Sequence, residues 1–136
     1  MMRKVLTSQA SLCRLHNSHC MSASPRSRVT IIGSDEAYSQ ITTEGAGRKA
    51  IVYFTAKWCP PCKMIDAVVG NAAPRHKDID FAKLDVDELN ETTSKAGVRS
   101  MPTFFYFQDG KLQHSLSFSG ADEELLRKNV KQLSDL

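Results

Sequence analysis

Two cysteines three residues apart, Cys59 and Cys62, are the side chains best suited to covalent chemistry in this chain. They lie in the segment Trp58-Cys59-Pro60-Pro61-Cys62-Lys63. Before it runs Ala50–Thr55, apolar and without a charge, as expected of a strand buried on both faces. After it comes a segment that reads as a helix, with proline tolerated in its first turn. Backbone N–H groups at a helix N-terminus lack intrahelical partners, and the helix dipole is positive there. Both effects favour a thiolate over a thiol, so Cys59 is the expected nucleophile. Cys62, one turn further on, is close enough to attack a mixed disulfide at Cys59 and release the product.

The same spacing has two other uses. A C-x-x-C is often half of a zinc site, but four-coordinate zinc needs further ligands. No second C-x-x-C exists, and His76 and His114 are scattered, so no metal is expected. Two buried structural thiols are the other use, and the intervening Pro60 and Pro61 with the adjacent Trp58 speak against it. The remaining cysteines, Cys13 and Cys20, lie near the N-terminus and do not make a disulfide framework.

The elements that must position this pair belong to a chain of 136 residues, enough for one domain. A hydrophobic fraction of 41% and a charged fraction of 24% suit a globular protein. No apolar run is long enough to span a membrane, and no membrane partner is expected. The formal net charge of +3 is uneven: Arg3, Lys4, Arg14, Arg26 and Arg28 are met by no acid over residues 1–28. The basic character therefore belongs to this leader, and no nucleic-acid surface is expected. Basic, serine-rich and acid-poor, residues 1–28 read as an organelle transit peptide. The expected destination is the mitochondrion, with plastid or cytoplasm as alternatives. The folded domain is expected over residues 29–136.

Within that domain Val29–Ile32 reads as a strand, and Ser34 as the cap of a helix to about Glu44. The helix after Cys59 should pass Ala72 and stop before Pro74. Ile79–Val86 reads as a second central strand. Asp87–Ala96 follows as a helix capped by Asp87 and closed by Gly97. Thr103–Phe107 and Lys111–Phe118 form a hairpin around Asp109-Gly110. Asp122–Leu133 is an amphipathic helix. The order β-α-β-α-β-α-β-β-α predicts an α/β fold, a mixed central sheet with helices on both faces.

Residues 29–136 resemble the thioredoxin family at several places. Phe54-Thr55-Ala56-Lys57-Trp58-Cys59 matches the strand into the active site, and Ala82-Lys83-Leu84-Asp85-Val86-Asp87 the next central strand. Gly97-Val98-Arg99-Ser100-Met101-Pro102-Thr103 matches the cis-proline loop. Phe107-Gln108-Asp109-Gly110-Lys111 matches the hairpin, and Phe118-Ser119-Gly120-Ala121 the last loop. The resemblance implies a monomeric protein-disulfide reductase, active in redox homeostasis and electron transfer, whose Cys59–Cys62 disulfide needs no bound cofactor. Its implied partners are disulfide-bearing client proteins and an NADPH-dependent flavin reductase. It also implies a cis Pro102, with Trp58, Pro60, Met101, Pro102 and Gly120 forming an apolar rim around Cys59 for an extended substrate. A disulfide isomerase and a non-catalytic binding module on the same fold are the alternatives. Pro60-Pro61 speaks against the isomerase, which usually carries His between its cysteines.

Two departures bear on mechanism. Most of the family has Gly where Pro60 stands; proline removes a donor and stiffens the turn, with Pro61 beside it. Most also bury an Asp six residues before the nucleophile, and here that position is Tyr53, although its usual partner Lys83 is present. The run Tyr-Phe-Thr-Ala at 53–56 is shared with the plant mitochondrial class called thioredoxin o, in line with the leader. At about 100° per residue, Asp66 falls on nearly the same helix face as both cysteines. Asp66 is therefore a candidate substitute proton acceptor for Cys62, given a site shielded from water; the alternative is a solvated helix residue, with bulk water or Tyr53 sufficing.

Overall fold

The fold is that of a computed structural model describing residues 28–45 and 47–136; the leader expectation otherwise lies outside the described residues. The strands are β1 (Val29–Ile32), β2 (Lys49–Thr55), β3 (Ile79–Asp85), β4 (Thr103–Gln108), β5 (Lys111–Leu112) and β6 (Phe118–Ser119). The helices are α1 (Asp35–Ile41), α2 (Pro60–Ala72), α3 (Asn90–Lys95) and α4 (Glu123–Asp135). A short 3₁₀ turn, Ala73–Arg75, follows α2 and takes up Pro74.

The sheet runs β1-β3-β2-β4-β5, with β6 also on β4. β1 and β2 flank β3 in parallel, and β4 lies antiparallel to β2, so the sheet is mixed as expected. β2 is central, and all its residues but Lys49 are buried. Alternation along it serves two cores at once. Ile51 and Tyr53 pack with Ile65 and Val69 of α2 and with Leu126, Val130 and Leu133 of α4. Ala50, Val52 and Phe54 face the other way, toward Ala37, Tyr38 and Ile41 of α1. Each large side chain so buried contributes roughly 1.5–3 kcal/mol. This double layer pins the C-terminal end of β2, where the cysteines begin.

Three elements differ from the sequence expectation. The first helix stops at Ile41 rather than near Glu44, because Thr42 and Thr43 turn their hydroxyls back onto the carbonyls of Tyr38 and Ser39. Asp87 does not cap a helix. The Asp85 carboxylate accepts the Asp87 N–H at 2.9 Å, holding residues 86–89 as a turn and delaying α3 to Asn90. Gly97 does close α3, at φ 79°, with its N–H on Ser94 and that of Val98 on Thr93.

The third difference is the returning strand, which is split rather than continuous. Leu112 pairs with Phe107 but Phe118 pairs with Phe104, so six steps along the return answer three on β4. The Gln113 carbonyl gathers the N–H groups of Leu116 and Ser117 and turns the excess residues out of the sheet. The Asp109-Gly110 turn itself is as expected, with positive φ at both residues.

Candidate functional site

Cys59 stands at the junction of β2 and α2, as the N-cap residue of the helix, with φ −97° and ψ 105°. Pro60 and Pro61 occupy the first two helical positions and bring no N–H. The first free donor of the helix is thus the N–H of Cys62, and it points at Cys59 Sγ at 3.3 Å. Lys63 N–H closes the first backbone bond onto the Cys59 carbonyl at 3.3 Å. The two prolines therefore leave one near amide to stabilise negative charge on Cys59. The structure holds the pair as a Cys59–Cys62 disulfide with Cα atoms 5.3 Å apart. Both residues are nearly closed off, Cys59 at 3% exposure and Cys62 at 1%.

The rim residues are brought together, though not all at the surface. The Met101-Pro102 bond is cis. The Met101 carbonyl lies 3.8 Å from Cys59 Sγ. Pro102 is fully buried and contributes position, not surface. Its carbonyl accepts the Gly120 N–H at 2.8 Å, which ties the last loop to the cis-proline loop. Trp58 and Pro60 are exposed, while Met101 and Gly120 are partly so.

Trp58 is 64% exposed, yet its indole N–H donates to the Asp87 carboxylate at 2.9 Å. Beside it, Lys57 pairs with Glu88 at 3.2 Å. The turn after β3 thus braces the cysteine loop from outside. Sequence reasoning missed this role of Asp87; the only local sign was an Asp-rich stretch that suits a turn as well as a cap.

Beneath the disulfide, the Tyr53 ring stacks on Phe104 with centroids 5.0 Å apart. Its hydroxyl donates to the Cys62 carbonyl at 2.8 Å. Burial pushes the phenol up to about 12; a hydrogen bond with Thr55 works against this and the Asp66 charge adds to it. Tyr53 therefore keeps its proton at neutral pH. Asp66 does turn toward the sheet and meets Lys83 at 2.7 Å. Its side chain is 45% exposed, so the shielding required for a base near neutral pH is not found. Both residues line a cleft of about 490 Å³ that reaches Cys62. Among the described residues no group of His, Cys, Asp or Glu could hold a metal ion.

A family model for thioredoxin matches residues 29–132. Thioredoxin H3 of Arabidopsis thaliana is 40% identical over 76 residues, which is 56% of this chain and 64% of that protein. This chain therefore spans less than two thirds of the length of that curated relative. Among solved structures, thioredoxin O1 of Arabidopsis thaliana in its oxidised state superposes with TM-score 0.71 at 27% identity, covering 78% of this chain and 97% of its own. Oxidised mitochondrial thioredoxin 3 of Saccharomyces cerevisiae does so with TM-score 0.70 at 29% identity, covering 76% and 94%. Thioredoxins are thiol–disulfide oxidoreductases that work through such a dithiol on disulfide-bearing targets. With a family model matching residues 29–132, beside the mixed sheet, the cis Met101-Pro102 bond and a Cys59–Cys62 disulfide at the mouth of a helix, the chain belongs to the thioredoxin family.

Proposed function

We propose that this chain is a protein-disulfide reductase in which Cys59 attacks and Cys62 resolves. The observation that carries this reading is the helix-capping Cys59, with the Cys62 amide at 3.3 Å and the Met101 carbonyl at 3.8 Å. The Cys59 thiolate attacks one sulfur of a client disulfide. A Cys59–client disulfide forms, and the other client sulfur leaves as a thiolate and takes up a proton. Cys62 then loses its proton and attacks Cys59 Sγ. The intramolecular disulfide forms, the second client thiolate leaves, and two electrons have passed to the client. The product state of the chain is the Cys59–Cys62 disulfide.

The exposed Trp58 and Pro60 and the half-buried Met101 and Gly120 are the surface on which a client segment would lie. Re-reduction is assigned to an NADPH-dependent flavin reductase, and the working place to the mitochondrion. Support for the mitochondrial, o-like assignment is the basic, acid-free composition of residues 1–28, the Tyr53-Phe54-Thr55-Ala56 run, and the likeness to a mitochondrial and an o-type structure.

Insulin reduction driven by dithiothreitol tests the activity. Wild type is expected to accelerate it and Cys59→Ser to fall to the background rate. A Cys59→Ser protein as active as wild type would leave a binding module instead. A fluorescent protein carrying residues 1–28 tests the address: mitochondrial signal is expected, and diffuse cytosolic signal would remove the organelle assignment.

A further inference from the structure

The cleft beside Cys62 holds a charge arrangement that the exchange chemistry above does not use. Its walls come from six segments. Asp66 and Lys63 come from α2, Lys83 and Asp85 from β3, Thr55 from the end of β2, Lys57 from the following loop, and Glu88 from the turn before α3. Ile31 of β1 completes the wall. Tyr53 lies behind it, uncharged at neutral pH. Lys57 is engaged by Glu88 at 3.2 Å, and Asp85 by the Asp87 amide at 2.9 Å. Lys83 and Asp66 are engaged by each other at 2.7 Å.

Asp66 is one helical turn beyond Cys62, on the same face of α2. Lys83 stands opposite Tyr53 in the sheet register, and the Tyr53 hydroxyl touches the Cys62 carbonyl. The two opposite charges therefore sit side by side on the cleft that Cys62 also lines. A negative charge near a thiol opposes its ionisation, and a positive charge favours it. The Asp66 carboxylate is already held by Lys83, and the cleft opens to solvent.

We propose that the Asp66–Lys83 pair sets the pH at which Cys62 becomes a nucleophile, Lys83 favouring the thiolate and Asp66 restraining it, while the proton leaves to solvent through the cleft. This rests on the reading that Cys62 resolves. Asp66 is a tuning residue here, not a base: it acts through charge on a thiol it does not deprotonate. The pair is one-third to one-half exposed, which limits the effect of either charge through solvent screening.

The test is stopped-flow reaction of the reduced full-length protein, with Cys13→Ser and Cys20→Ser so that only Cys59 and Cys62 react, with an aryl disulfide that releases a coloured thiolate. Attack by Cys59 releases the first equivalent and resolution by Cys62 the second. The rate of the second phase is followed against pH. Asp66→Asn should move its midpoint down by about half a pH unit, making resolution roughly threefold faster on the acid side. Lys83→Met should move it up by about the same amount, and the double variant should return close to wild type. Both single shifts should shrink at about 1 M salt. A slower second phase in Asp66→Asn would make Asp66 the proton acceptor and overturn the proposal. So would an unmoved midpoint in both single variants. A wild-type protein with no second phase would overturn the resolving assignment itself, a failure distinct from these two.

Discussion

The hydroxyl of Tyr53 donates to the carbonyl of Cys62 at 2.8 Å, so a residue of the central strand holds Cys62 by its backbone. Tyr53→Phe keeps the stacked ring and removes this bond. Stability should fall by about 1 kcal/mol, read as a lower denaturant midpoint with an unchanged m-value. The same variant tests alkaline behaviour. The folded phenol is pushed up to about 12, above the unfolded value of about 10. The unfolded state therefore loses its proton first as pH rises. Tyr53 stabilises the fold fully below about pH 10, and that contribution is lost as pH climbs to about 12. Wild type should lose stability more steeply than Tyr53→Phe across that window.

The bond from Trp58 to Asp87 should govern the pose of the exposed indole. Trp58 is the single tryptophan of the chain, so tryptophan fluorescence reports on the surroundings of this residue. Asp87→Ala is expected to shift the emission and raise KM for insulin, with a stability change below about 1 kcal/mol. Asp87→Asn retains a side-chain oxygen as acceptor and should restore most of both. An unchanged spectrum in Asp87→Ala would separate Trp58 from the turn that braces it.

If Cys62 resolves, as proposed, removing its sulfur should stop the exchange half-way. Cys62→Ser incubated with a disulfide-bearing client is expected to accumulate a mixed disulfide through Cys59, located by mass mapping. Client found on residue 62 in Cys59→Ser, with none on residue 59 in Cys62→Ser, would reverse the two roles.

Gly110 closes the β4–β5 hairpin at φ 78°, and a Cβ there would fall 2.5 Å from the backbone of Thr43 and Glu44. Backbone atoms cannot swing aside as a side-chain end would. Gly110→Ala should cost about 2–3 kcal/mol, while insulin reduction well below the melting temperature stays near wild type. A urea midpoint equal to wild type would show that the loop at 43–44 moves freely.

What could be read from the chain alone was local or periodic. A short charge-free, β-branched and aromatic run before Trp58-Cys59-Pro60-Pro61-Cys62 fits a strand buried on both faces, and the prolines fit a helix start. Asp109-Gly110 specifies its own turn through φ. The family is legible in several matched segments. Tertiary structure decided the partners of side chains that lie far apart in sequence. Trp58 meets Asp87 across 29 positions and Lys83 meets Asp66 across 17. Neither contact has a period, since each depends on where a strand end and a helix face come to rest. The delayed start of α3 and the split return of β5 and β6 have the same origin. There a side-chain carboxylate at Asp85 and the carbonyl of Gln113 capture backbone N–H groups that propensity would assign to a helix or a ladder. Asp66 shows the division within one residue. Helical spacing determined which face it shares with the cysteines, and only packing decided that this face opens to solvent and to Lys83 rather than closing over a buried acid.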